Sequence, residues 1–339
     1  MTIPRKHHYV QQAHLALFAD ARSMLFVASK DGKEFQTGPK GIFAVRDLYS
    51  FDSDGGVITQ FEGALAQLEG TLFPIIKEIA ESATLTQKRI EAARLYMACS
   101  MLRNPAFQRV IIDQLKASLE ALAMLLDQQG KFDPFPTTGS TLDGKSIREL
   151  MRDKVIEFDI NNSEYLRAFR HSLGSIFKLL GGFAYSLLIA EAGDVAIGDH
   201  PFTFFHPGVE FGPYGAPLGG EGCEIAFPIS RNVALIGRWQ AAIPDMTSSA
   251  AVRQANLRQA MFASNFIASA APLDEVRGWL RRYSELSFTS DVNTLPFGDD
   301  GIYIVARRWL MPSVRRLAVT GDIVGMETFS VGASQRVRS

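Results

Sequence analysis

Two cysteines in 339 residues, Cys99 and Cys223, are too few for a disulfide scaffold, and neither stands in a C-x-x-C or C-x-x-H spacing. A reducing compartment fits that usage. Charge of one sign is missing as well: 35 Lys and Arg against 36 Asp and Glu leave a net of -1. No whole-chain field would hold the protein on DNA, RNA or an anionic membrane. No long apolar run occurs either, because the most apolar stretch, Leu179 to Ala190, falls short of the ~20 residues that span a bilayer. The start, Met1 to His8, is basic but leads into no apolar h-region, so no signal peptide is expected. A soluble, cytoplasmic protein is the expectation. Internal repeats and low-complexity tracts are absent, as are H-x-x-x-H, H-E-x-x-H and G-x-S-x-G.

What is there is an ordinary globular composition, 47% hydrophobic, 21% charged and 10% aromatic, at a length of about two domains. The charge is uneven only at the end, where residues 301–339 hold six arginines (Arg307, Arg308, Arg315, Arg316, Arg336, Arg338) against Asp322 and Glu327. That region could meet nucleic acid or another anionic ligand, or it could be a solvated surface.

Periodicity sets out the elements. Gln11 to Asp20 reads as a short helix, and Met24 to Ala28, closed by Asp31-Gly32, as the first arm of a β-hairpin. Thr59 with Glu62 makes a capping box before a helix whose stripe is Phe61, Leu65, Leu68, Leu72, Ile75, Ile76 and Ile79. Thr84 with Gln87 repeats the signal for a second helix reaching about Arg103. Asn104 as N-cap and Pro105 at the first helical position start a third, with Ile111, Leu115, Leu119, Leu122 and Leu126 facing inward until Gly130. Lys131 to Ser140 is the linker candidate, and helices follow over Ser146 to Ile156 and Ser163 to Leu180. After Gly181-Gly182 short apolar runs at 183–190, 196–197, 202–205, 224–227 and 233–236 predict a sheet, interrupted by a long Gly/Pro loop between His206 and Cys223. Helices are expected again at Ala250 to Ala270 and Leu273 to Tyr283, then a strand at Ile302 to Ala306.

The expected class is α+β, a helical body packed with a small, mostly antiparallel sheet. Its segments are 1–58 (N-terminal motif and β-hairpin), 59–180 (helical body), 181–245 (β-rich) and 246–339 (closing helices and basic tail), which together form either separate units or one composite domain.

Several groups could carry chemistry. Residues 139–146 match the phosphate-binding loop G-x-x-x-x-G-K-[ST], but Lys131 to Thr138 holds two prolines in three residues where a buried strand is required. Glu62 and Glu69, seven apart on one helix, could present two carboxylates to a metal or an acid/base site, although Glu62 also suits the helix cap. His8 with Asp199 and Glu62 would have to assemble from distant segments to bind a divalent metal. Asp199 stands at a strand end, where it serves either a ligand or a turn. Arg103 either stabilises an anion or bonds the last carbonyls of its helix. Cys99 lies in an apolar helix and reads as inert core.

These residues also recur in a known order. Lys6-His7-His8-Tyr9-Val10, Phe18, Asp47-Leu48-Tyr49-Ser50, Gln60-Phe61-Glu62 and Leu68-Glu69 are followed by Arg103-Asn104-Pro105-Ala106-Phe107, Gly198-Asp199-His200-Pro201, Phe227-Pro228-Ile229-Ser230 and Asn256. In that order the chain resembles the bacterial domain-of-unknown-function family 4238, over roughly residues 6 to 270. It departs at Gln11, where the family usually has proline, and at Gly198, where it usually has serine. The resemblance implies no activity, but it selects His8, Glu62, Glu69, Arg103, Asp199 and Asn256. Together they imply either a shared metal or phosphate site, as in a nuclease-like or phosphodiesterase-like hydrolase, or a buried polar network that fixes the fold. The leading expectation is a binding, interaction or sensor module, with a bacterial stress or defence setting. The metal-dependent hydrolase is the alternative, and nucleotide binding at 139–146 is a minor one.

Overall fold

The computed structural model describes residues 6–46, 48, 51–53, 56–58, 60–133, 142, 144–160, 162–192, 194–206, 218–285, 290–297 and 301–308. In chain order these residues form β1 (Lys6–His8), α1 (Gln12–Ala16), β2 (Leu25–Ser29), β3 (Glu34–Thr37), β4 (Ala44–Arg46), β5 (Phe51–Ser53) and β6 (Gly56–Ile58). The helices α2 (Gln60–Ser82), α3 (Gln87–Leu102), α4 (Pro105–Gln128), α5 (Ile147–Arg152) and α6 (Asn162–Leu180) follow. Next come β7 (Phe183–Ile189), β8 (Ile197–Gly198), β9 (Thr203–Phe205), β10 (Glu224–Ser230) and β11 (Val233–Trp239). The last elements are α7 (Ser249–Phe262), β12 (Phe266–Ser269), α8 (Asp274–Arg282), β13 (Ser290–Phe297) and β14 (Gly301–Arg308). The class is α+β, with every named strand pair antiparallel.

Local chemistry explains several boundaries. Asn104 is extended and its side chain accepts from the Ala106 amide at 2.8 Å, with Pro105 at the first helical position, so α4 starts where cap chemistry requires. It ends before Gly130, whose φ of +66° suits a residue without Cβ. The cap of α3 is Thr86 rather than Thr84, accepting from the Arg89 amide at 3.3 Å. Ala83, at φ +46°, turns the chain out of α2, and two further residues pass before the backbone is placed to re-enter a helix. Thr59, the other expected cap, lies outside the described residues, as do most of the linker at 131–140 and of the Gly/Pro loop.

Among the described residues there are two four-stranded sheets, in the orders β7-β11-β10-β9 and β3-β2-β12-β8, and three two-stranded ones, β1-β4, β5-β6 and β13-β14. The first holds four of the five runs read after Gly182, while the run at 196–197 falls in β8 of the second. The second corrects an expectation, because Phe266 to Ser269, expected to continue a helix, is the strand β12 that pairs with β2 on one side and β8 on the other. Ala263 leaves α7 at ψ 132°, and pairing with distant strands then overrides an alanine-rich local preference. The N-terminal hairpin thus joins the end of the chain's described core.

One hydrophobic cluster runs from Tyr9 and Phe18 through Leu72, Ile76 and Ile79 of α2, Met97 of α3 and Phe169 of α6 to the β7–β11 strands and α7. A smaller one, with Ala196, Ala260, Ile267 and Leu280, lies under α8. The α4 stripe needs correction: Phe107, Val110 and Ile111 are buried, whereas Leu115, Leu119 and Leu122 are 36%, 38% and 41% exposed. Besides α3 and α6, α4 neighbours α5 and the β13–β14 hairpin, and the three leucines keep over a third of their surface exposed.

Asn104→Ala is expected to lower stability by about 1–3 kcal/mol, combining a lost cap with a lost buried hydrogen bond. Urea denaturation measures it, and a loss within error of zero would mean that the corner is held by packing alone.

Candidate functional site

The corner between α3 and α4 is where the polar residues meet. Arg103, nearly sealed from solvent, forms an ion pair with the buried Glu69 of α2 and donates to the carbonyl oxygen of His8. Gln11 Nε2 donates to the second Glu69 oxygen at 2.9 Å, and Tyr96 Oη donates to Gln11 Oε1 at 3.2 Å. The N-terminal segment is therefore bound to α2 and α3 through side chains that satisfy one another.

The adjacent residue works in the opposite direction. Asn104 Nδ2 donates to the backbone oxygen of Asp199 at 2.6 Å. The Asp199 carboxylate in turn accepts from the amides of Ser264 (2.6 Å), Asn265 (2.7 Å) and Phe266 (3.1 Å), fixing the turn that leads from α7 into β12. Burial pushes its pKa up to about 6, against the three amides and Lys30, which lower it. Burial likewise brings Lys30 down to about 8, opposed by the Asp199 charge.

From α7, Asn256 and Gln259 hold the other side of the same loop. Asn256 accepts from Ala196 N at 2.9 Å and donates to Asp194 O at 2.7 Å, while Gln259 accepts from Gly198 N and donates to Pro201 O, both at 2.8 Å. A Cβ on Gly198 would lie 3.1 Å from the Gln259 carbonyl oxygen, so this α7 face approaches more closely than a side chain there would easily allow.

The six selected residues thus divide into two sets joined at 103–104. Glu69 and Arg103 are in contact, and His8 touches them through its backbone. The His8 ring instead meets Gln12 Nε2 at 3.1 Å. Glu62 pairs with His7, Nδ1 to Oε2 3.1 Å, a histidine the sequence reading did not choose. Consecutive side chains of a strand point to opposite faces, and the fully buried His7, not the half-buried His8, is the one that faces Glu62. Asp199 and Asn256 serve the second set. Among the described residues no group of three or more His, Cys, Asp or Glu side chains is placed to hold one metal ion.

Three further buried groups were not among the selected site residues. His14 Nε2 donates to Pro228 O at 3.0 Å inside a ring of Phe18, Tyr96 and Phe227, and burial lowers its pKa to about 4. His200 Nδ1 bonds Phe202 O at 2.8 Å and is lowered to about 4 for the same reason. Glu224, fully buried, is shared by Arg258 (Nη2 to Oε2, 2.8 Å) and Arg238 (Nε to Oε1, 3.0 Å), with the Arg258 guanidinium over the Phe205 ring. No motif announces this triad, because its members come from α7 and two strands of one sheet.

Of the phosphate-loop match at 139–146, the described part shows Ser146 capping α5 in a capping box with Glu149, while residues 139–141 and 143 lie outside the described residues. Beyond Arg308 the arginine-rich end does too. Both cysteines are buried, with thiols pushed up to about 12 (Cys99) and about 11 (Cys223), which suits inert core positions. No helix among the described residues is long and apolar enough to cross a membrane.

A family model described as "Protein of unknown function (DUF4238)" matches residues 6–271 of the chain. No curated protein and no solved structure shows a significant match.

Proposed function

The chain belongs to the DUF4238 family, and on that premise we propose that it is a binding or interaction module, of a sensor or partner type, acting in a bacterial cytoplasm. One observation supports this reading above the hydrolase: the polar residues chosen for chemistry are engaged in bonds that hold the chain to itself. Arg103 ties α2 to β1, Asn104 ties α4 to the Asp199 loop, and Asp199 and Asn256 tie that loop to α7 and β12. Hydrolysis would need His8, Glu62, Glu69 and Asp199 to face one reacting centre, and the bonds above direct them to different neighbours. The continuous cluster from Tyr9 to Ala268 supports treating helical body and sheets as one composite domain.

Thermal unfolding in millimolar Mn²⁺, Mg²⁺ or Zn²⁺, with bis(p-nitrophenyl) phosphate turnover measured in parallel, tests this proposal. Ligands of the native state raise the midpoint as ln(1 + [L]/Kd). The expected result is no midpoint shift beyond an ionic-strength control and no turnover. A metal-dependent shift together with turnover, both lost in Glu62→Gln while that variant stays folded, would overturn the proposal in favour of the hydrolase.

A further inference from the structure

We propose that the leucine stripe of α4 is an interaction surface for a second copy of this chain, whose own α4 lies against it in the antiparallel sense. Of the eight large apolar side chains exposed among the described residues, Leu115, Leu119, Leu122 and Met124 belong to α4, Phe132 follows it, and Val155 follows α5 beside it. Apolar surface gathered in one place, rather than scattered singly, marks an interface. With the half-buried Ile112 and Leu126, the three leucines recur at alternating spacings of three and four residues. That alternation is the seam by which two helices interlock. Within the chain α4 neighbours α3, α5, α6 and the β13–β14 hairpin, and these leave Leu115, Leu119 and Leu122 36%, 38% and 41% exposed.

Charge complementarity selects the occupant. The first half of α4 carries Arg109 and Lys116 against Asp113, whereas the second half carries Glu120 and Asp127 with no cation. At about 100° per residue, Arg109, Lys116, Glu120 and Asp127 fall within about 40° of one another, on one side of the helix. A two-fold axis beside Ser118 brings that side of one copy to the same side of the other. Arg109 then stands level with Asp127 of the second copy and Lys116 level with its Glu120, and symmetry repeats both pairings. The same axis lies within one residue of the midpoint between Leu115 and Leu122, so the seam and the charges require one register. A parallel pair would instead set each charge level with its own like. Lys116 already meets Glu157 at 2.9 Å, but with side chains 35% and 79% exposed that pair contributes little and yields to a second carboxylate.

Area sets the strength of the pairing. The 24 residues of α4 make a helix about 36 Å long, and a strip of that length and about 10 Å wide covers about 360 Å². Stable complexes bury roughly 800 Å² on each partner. The second copy is therefore held weakly and reversibly, and the assignment includes a response to concentration.

This inference goes beyond the binding reading and does not depend on it. Sedimentation velocity of the full chain in low salt, from about 5 to about 500 µM, tests it, because the associated fraction grows with concentration by mass action. The mass is expected to rise from one chain toward two. Leu119→Glu, at an exposed position, should weaken the association at least tenfold with the melting midpoint kept. Glu120→Lys should weaken it at least threefold, and Lys116→Glu/Glu120→Lys should restore it, a rescue that holds whatever Leu119→Glu does to folding. Under mild oxidation Leu119→Cys should trap a disulfide dimer, since the native cysteines are buried. Leu126→Cys should not, because in this register the two copies of that residue stand about 22 Å apart along the axis. A monomer at every concentration would overturn the proposal and leave the stripe to a different protein or to residues 309–339. Association that survives Leu119→Glu, a double variant that restores nothing, or equal trapping at 119 and 126 would overturn it as well. Metal-dependent turnover would sink the binding module without touching this pairing, and a persistent monomer would sink this pairing alone.

Discussion

Replacing Arg103 with methionine is expected to lower the unfolding free energy by about 3–5 kcal/mol, because one partner of a buried ion pair is removed and the other stays. Glu69 would keep the Gln11 amide at 2.9 Å, but a single neutral donor does not replace a guanidinium for a carboxylate shielded from water. The His8 carbonyl would lose its donor in the same step, adding about 1 kcal/mol and loosening the attachment of β1. The double variant Arg103→Met/Glu69→Leu should recover most of the loss, since it leaves no charge to desolvate. Urea denaturation of wild type and the three variants closes the cycle. A cost below about 1 kcal/mol for Arg103→Met would mean that the pair is already well hydrated in the native protein. A catalytic role for Arg103 predicts the reverse pattern, with stability kept and turnover lost.

Acidification from pH 7 to pH 4 is expected to remove about 3 kcal/mol of stability, through His14 and His200. Both rings are buried and lowered to about 4, so the folded state holds them neutral while the unfolded chain protonates near 6.5. A depressed folded pKa gives stability that is full above 6.5 and is lost as pH falls toward 4, about 3 kcal/mol for each ring. Asp199 acts with the opposite sign: raised from 3.8 to about 6, it favours the folded state as it takes up its proton between those values, returning roughly 2 kcal/mol. The histidines prevail because there are two of them and their loss begins at higher pH. Equilibrium unfolding at fixed urea across this range measures the slope. His14→Gln, whose amide can still donate toward Pro228 O without titrating, should remove most of it, because the loss through His200 that remains is largely offset by Asp199. An unchanged slope in that variant would rule His14 out as the acid-sensitive group.

Much of the fold was legible because much of it is local. Asn104 and Pro105 announce a helix start through cap chemistry that needs no tertiary partner, and the β2–β3 hairpin announces itself through a short apolar run closed by Asp31-Gly32. Misreadings arise where the deciding partner is remote. The leucines of α4 show which face is apolar but not how far along the helix a core extends to cover it. Phe266 to Ser269 becomes a strand through β2, more than two hundred residues earlier, and through β8. Of the residues that the family resemblance selected, Glu69, Arg103, Asp199 and Asn256 are bonded at one corner and the loop joined to it, but adjacent histidines could not be told apart without the parity of a strand. The Glu224 triad had no local signal at all.

The sheet β3-β2-β12-β8 also sets a schedule for synthesis. On a ribosome, β2 and β3 emerge together, while β12, which covers the other edge of β2, follows about 230 residues later. At about 5–20 residues per second, that edge stays unpaired for on the order of ten to fifty seconds in every nascent chain. An uncovered strand edge is an invitation to pair with a neighbour's. The interval between Thr37 and Phe266 is therefore when crowded polysomes, and the chaperones that attend them, have most influence on whether this protein reaches its native state.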